Sequence, residues 1–123
     1  MSEPRPNPMP YPAQLEHFKA YMGELANARP ETMRAFDALH AAAGAAGALD
    51  ARTKELIALA IAVTARCDGC IAFHTSDALA AGATREEILD ALGVAVLMGG
   101  GPAVVYATHV IEALSQFEAA AHD

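Results

Sequence analysis

The sequence predicts an all-α protein, and three observations carry that reading. The chain is alanine-rich, 54% hydrophobic and only 6% aromatic, a composition that favours helix intrinsically. Apolar residues recur at three- and four-residue spacing, and no stretch alternates apolar with polar residues as a half-buried strand would. The 123 residues fit one compact domain.

Taken in order, residues 1–12 contain Pro4, Pro6, Pro8, Pro10 and Pro12. These predict an extended arm that is not helical, followed by a single domain over 13–123. That arm is expected either to cross a neighbouring subunit or to be disordered. A first helix is expected from Ala13 to Ala26. A second starts at Pro30, a favourable first-turn residue, and carries Met33, Phe36 and Leu39 on one face until Gly44 and Gly47 end it. Asp50 is the expected N-cap of a third helix through Ala65. With Leu56, Ile57, Leu59, Ile61 and Val63, that helix is apolar nearly all round and is expected to be central and buried. A helix boundary falls at Cys67-Asp68-Gly69-Cys70, and a fourth helix runs to Ala81 before Gly82 stops it. Thr84 and Glu87 form a capping box for a fifth helix with Ile88, Leu89, Leu92, Val96 and Leu97. Gly99-Gly100-Gly101 breaks it, and Pro102 opens a sixth helix to Ala120. The expected fold is thus about six helices, with a central helical hairpin carrying the C-x-x-C motif.

Charge and cysteine usage narrow the function. The net charge of −7 is spread along the chain, without a basic patch or an RNA-reading aromatic motif, so nucleic acid is not an expected partner. The N-terminus lacks the apolar core of a signal peptide. The longest apolar run, Leu56 to Ala65, is too short to span a bilayer. The expectation is a soluble, cytoplasmic protein without membrane attachment. There, two cysteines point to chemistry or metal binding rather than a structural staple. So much apolar surface in so small a domain also predicts a homo-oligomer.

Cys67 and Cys70 are the only cysteines. Their spacing places both in the first turn of a helix, where backbone N–H groups and the helix dipole favour a thiolate. Two sulfurs so spaced can close a disulfide with little backbone movement. His74 follows Cys70 by four residues and Cys67 by seven, so the three fall within about 60° on one helix face. An imidazole one turn below a thiol can accept its proton. If the third and fourth helices form an antiparallel hairpin turning near Arg66, Glu55 sits beside the stretch from His74 to Asp77. It can then orient the imidazole as the third group of a triad does. The relay read from these residues runs from Glu55 to His74 to Cys70, with Cys67 completing the disulfide.

Glu55, eleven intervening residues, Cys67-x-x-Cys70, three more residues and His74 resemble the core motif of the AhpD-like alkylhydroperoxidases of the carboxymuconolactone decarboxylase superfamily. The resemblance extends from about Asp50 to the last helix. It implies an all-α fold assembled as a trimer or a dimer-built hexamer, and thiol-based reduction of hydroperoxides. Cys70 resembles the thiolate that attacks peroxide, and Cys67 the thiol that resolves the sulfenic acid. A lipoyl-bearing protein or another thiol donor would then reduce the disulfide. This ladder of sulfur oxidation states needs no metal or flavin cofactor. Peroxidase members can carry a histidine just before the second cysteine, where this chain has Gly69.

Other readings stand beside this one. The cysteines could be small buried side chains, or zinc ligands together with His74 and either Glu55 or His109. The protein could be a redox sensor or a structural oligomer. It could also be a decarboxylase-like enzyme in which the thiols are incidental. Tyr106 and His109 share a face of the last helix, where core packing or a subunit contact is the expected role. Met98 to Pro102 reads as a helix break rather than a phosphate loop, since no lysine follows at the required spacing. His17, His40 and His122 read as surface residues. Arg85, Glu86, Glu87 and Asp90 read as a solvated helix face.

Overall fold

The computed structural model describes residues 9–121, so Pro4, Pro6, Pro8 and His122 lie outside the described residues. Six helices follow one another: α1 (Tyr11–Ala28), α2 (Pro30–Gly44), α3 (Ala51–Thr64), α4 (Asp68–Ala80), α5 (Arg85–Gly99) and α6 (Gly101–Ala121). Among the described residues there is no strand, and no helix is long and apolar enough to cross a membrane.

The expected non-helical arm is corrected at its end. Helix α1 begins at Tyr11, and Pro12 lies inside its first turn. At that position the missing proline N–H has no intrahelical acceptor to lose, so the ring is tolerated. Tyr11 and Leu15, one turn apart, are the buried residues of α1. The Tyr11 amide donates to Gln116 Oε1 of α6 at 2.6 Å, which fastens the helix start to the bundle.

The core lies between α3, α4, α5 and α6. Its largest fully buried side chains are Leu59, Val63, Ile71, Ile88, Val110 and Leu114. Their spacing follows the helical period, as in Ala103, Ala107, Val110 and Leu114 along α6. The alanines between them let neighbouring helix backbones approach closely, which suits a chain poor in aromatic residues. Burying each larger aliphatic side chain is worth roughly 1.5–3 kcal/mol.

Helix α3 is not buried all round. Leu59, Ala62 and Val63 face the core, whereas Ile57 and Ile61 remain 45% and 60% exposed. Four helices around one core leave α3 only one inward face, so its second apolar face has no close-packed partner among the described residues. Helix α2 has no buried residue at all. It packs on α1 and only lightly on α3. Lys54 of α3 holds its end, donating to the carbonyls of Ala43 and Ala45 at 3.0 and 2.5 Å. These are carbonyls that the end of a helix leaves without intrahelical donors.

The expected caps of the remaining helices form. Asp50 accepts from the Thr53 amide at 2.7 Å. Thr84 and Glu87 make a reciprocal capping box. Part of the expected solvated face of α5 is tied down instead, because Arg85 pairs with Glu118 and Glu87 with Arg52.

Candidate functional site

The site is organised by the turn between α3 and α4. Its amides reach back in a Schellman pattern, Arg66 N–H to the Val63 carbonyl and Cys67 N–H to the Ala62 carbonyl, both at 3.1 Å. This closure requires a left-handed residue, and Arg66 takes it at φ 57°. Helix α4 closes on Ala83 with the same two bonds, with Gly82 at φ 92° in the equivalent place. A residue with a Cβ is costlier there than glycine, so the chain holds local strain immediately before Cys67.

Cys67 is the N-cap of α4, and its Sγ accepts the Cys70 amide at 3.1 Å. Cys67 and Cys70 are joined in a disulfide with their Cα atoms 5.2 Å apart. Both are half-buried, so reactants can reach them. With the sulfurs bonded to each other, neither is a zinc ligand in this state. Among the described residues, the three-residue donor set that the fold does bring together is Glu55, His74 and Asp77, with ligand-type atoms within 4.8 Å of one another.

The antiparallel register expected for α3 and α4 forms. His74 Nδ1 lies 2.8 Å from Glu55 Oε2. An ionised carboxylate only accepts, so Nδ1 carries the proton and Nε2 is left to accept one. Asp77 lies on the same side one turn further along α4. Burial and the nearby Glu55 charge hold its carboxyl above the ordinary carboxylate range, against the opposing pull of His74.

A second group of polar side chains flanks the same turn. Asp68, between the two cysteines, accepts at one oxygen from the Tyr11 hydroxyl at 3.0 Å and from His109 Nδ1 at 2.9 Å. Burial, reinforced by that bond to Asp68, raises the Tyr11 phenol well above its ordinary pKa, so it stays a donor. Tyr106 lies against the His109 ring with centroids 4.8 Å apart. His109 thus has a contact the sequence did not suggest, its nitrogen engaged by a carboxylate of the cysteine turn. Asp68 stood in plain view inside the motif, but Tyr11 and His109 come from the two ends of the chain and had no local signal. Gly69 faces the Phe18 ring, whose nearest carbon would lie 3.4 Å from a Cβ placed there.

A cleft of about 390 Å³ opens between α2 and α3 onto the Glu55–His74 pair. Its walls are mainly apolar and include Phe36, Leu39, Ile57, Ala58 and Ile61, with His40 and Lys54 contributing polar atoms. His40 is exposed as expected, yet it belongs to this wall.

An all-α bundle with a redox-capable cysteine pair at a helix start, backed by a carboxylate–imidazole pair, defines the class. The chain belongs to the carboxymuconolactone decarboxylase family, whose model matches residues 30–113. It is 43% identical over 106 residues to an uncharacterised protein of Cupriavidus necator, covering 86% of this chain and 91% of that protein. The crystal structure of a carboxymuconolactone decarboxylase family protein from Legionella pneumophila superposes with a TM-score of 0.85. That pair shares 43% identity and covers 87% of this chain and 96% of the other. A family protein from Thermotoga maritima, described in connection with an antioxidative response, matches with a TM-score of 0.69 at 31% identity, over 74% of this chain and 94% of its own.

Proposed function

We propose that the protein is a thiol-dependent peroxidase that reduces hydroperoxides through a Cys67–Cys70 dithiol/disulfide cycle assisted by His74 and Glu55. The observation that carries this reading is the disulfide at the start of α4 with a Glu55-oriented imidazole one turn along the same helix. The antioxidative connection of the Thermotoga relative supports it.

In the reduced protein, His74 Nε2 takes the Cys70 proton and Glu55 stabilises the resulting imidazolium. The Cys70 thiolate attacks the peroxide. The O–O bond breaks, Cys70 becomes a sulfenic acid, and the departing alkoxide takes a proton to leave as an alcohol. The Cys67 thiol then displaces water from the sulfenic sulfur and forms the disulfide. A dithiol donor, of which a lipoyl-bearing protein is the expected kind, restores the pair and is itself oxidised. One hydroperoxide and one donor dithiol thus become one alcohol, one water and one donor disulfide.

Assembly as a homo-oligomer is part of this reading. The exposed apolar faces of α2 and α3 and the exposed Val94, Leu97 and Met98 of α5 are surface that a second copy would cover. A monomeric mass by light scattering at working concentration would remove that component.

The test is consumption of an organic hydroperoxide by the reduced protein with dihydrolipoamide as donor. Cys70→Ser is expected to fall to the uncatalysed rate, and His74→Gln to lose about 10²-fold or more. Gly69 favours a second reading, a redox sensor, since no histidine precedes the second cysteine and Phe18 occupies that side. A sensor would form the disulfide on exposure to peroxide and show no sustained turnover with the donor.

A further inference from the structure

Two carboxylate–imidazole pairs flank the disulfide, and the proposed cycle uses only Glu55–His74. The other, Asp68–His109 with Tyr11, joins the first turns of α1 and α4 to the middle of α6 at the cysteine turn. We propose that Asp68 and its two donors set the redox potential of the Cys67–Cys70 pair. The proposal rests on the reading above only in that the pair cycles between dithiol and disulfide; no peroxide need be involved.

The argument begins with Cys67. Its Sγ occupies the N-cap position and accepts the Cys70 amide at 3.1 Å, an arrangement that stabilises negative charge on that sulfur. Asp68 is the next residue and belongs to the same first turn, and a carboxylate carried on that turn opposes a thiolate formed there. Tyr11 and His109 both donate to the same Asp68 oxygen, Oδ1. Their bonds draw the carboxylate's charge away from the turn.

Reduction by glutathione breaks the Cys67–Cys70 bond and forms one glutathione disulfide from two glutathione thiols, leaving a protein dithiol. Whatever stabilises the thiolate favours that dithiol and makes the disulfide the stronger oxidant. Asp68 therefore biases the pair towards disulfide, and His109 and Tyr11 relieve that bias. These are positioning groups acting through Asp68, not residues that touch substrate. A merely structural role predicts that damaging any member has the same sense of effect. Electrostatic control predicts opposite senses.

The experiment equilibrates the full chain with defined mixtures of reduced and oxidised glutathione, without peroxide, at one fixed pH above neutrality, where thiolates exchange. Asp68→Asn keeps an oxygen for both donors but removes the charge. It should shift the equilibrium towards dithiol by about two- to tenfold, tenfold being about 30 mV. His109→Leu removes one of the two donors to Asp68 and should shift it towards disulfide. Tyr11→Phe removes the other donor and should shift it the same way as His109→Leu. If Asp68→Asn and His109→Leu move the equilibrium in the same direction, or neither moves it, the proposal is overturned. Should Tyr11→Phe fail to fold, the Asp68 and His109 pair decides alone. A wild-type protein that equilibrates normally but turns over no peroxide would defeat the peroxidase reading and leave this one standing.

Discussion

The α3–α6 bundle and the α1–α2 pair are built from similar alanine-rich, amphipathic helices, yet they use their apolar residues differently. In the bundle, Leu59, Ile71, Ile88 and Leu114 meet one another and lose all contact with water. In α2, Phe36 and Leu39 line up on one face and stay 49% and 64% exposed, forming a wall of the cleft over Glu55 and His74. An apolar stripe is therefore a capacity for burial, and the number of neighbours available decides whether it is used. The stability of this chain should reside in the bundle, while α2 remains free to serve the cleft or a second copy.

The largest expected effect tests the bundle side. Leu59→Ala should cost about 2–5 kcal/mol in chemical denaturation, through lost transfer energy and a residual cavity. Phe36→Ala should change stability by no more than about 0.5 kcal/mol in dilute solution. A larger loss that depends on protein concentration would break the comparison, by showing that another subunit covers α2.

A smaller effect sharpens the comparison inside the bundle. The closures of α3 and α4 share one hydrogen-bond pattern but differ in their left-handed residue, Arg66 against Gly82. Arg66→Gly should stabilise by about 1 kcal/mol and Gly82→Ala destabilise by about the same amount. Among the described residues, nothing beyond its chain neighbours lies within 4 Å of a Cβ at Gly82, so its cost would be conformational alone. Thermal unfolding of the two variants at equal concentration measures both signs.

The smallest effect concerns the carboxylate beside the Glu55–His74 pair. The Asp77 carboxyl is raised by burial and by Glu55, so its ionised form is penalised in the folded state relative to the unfolded. That penalty is absent below the unfolded carboxyl pKa, grows as pH rises through the raised folded value, and is constant above it. Asp77→Asn should therefore raise the melting temperature at pH 7, and the gain should shrink as the pH falls towards about 4.

Much was legible from local chemistry. The capping box at Thr84, the N-cap at Asp50 and the first-turn prolines each act within four residues, so the helices they open were visible without tertiary information. The Glu55–His74 contact was also legible, because a tight hairpin pairs residues equally distant from its turn. Three features were not. Pro12 inside α1 could not be told from the prolines before it. The open face of α3 could not be foreseen from composition, because an apolar residue does not reveal whether a neighbour exists. Asp68 was visible, but its donors lie 57 and 41 residues away, and no local rule connects them.

By itself the sequence determined the helices, their caps and the cysteine–histidine spacing, because these depend on interactions within one turn or one hairpin. The tertiary structure alone decided which apolar faces found partners and which polar groups came to surround the disulfide. Those outcomes depend on how α1, α2 and α6 dock on the central hairpin, and docking is a property of whole surfaces rather than of any segment.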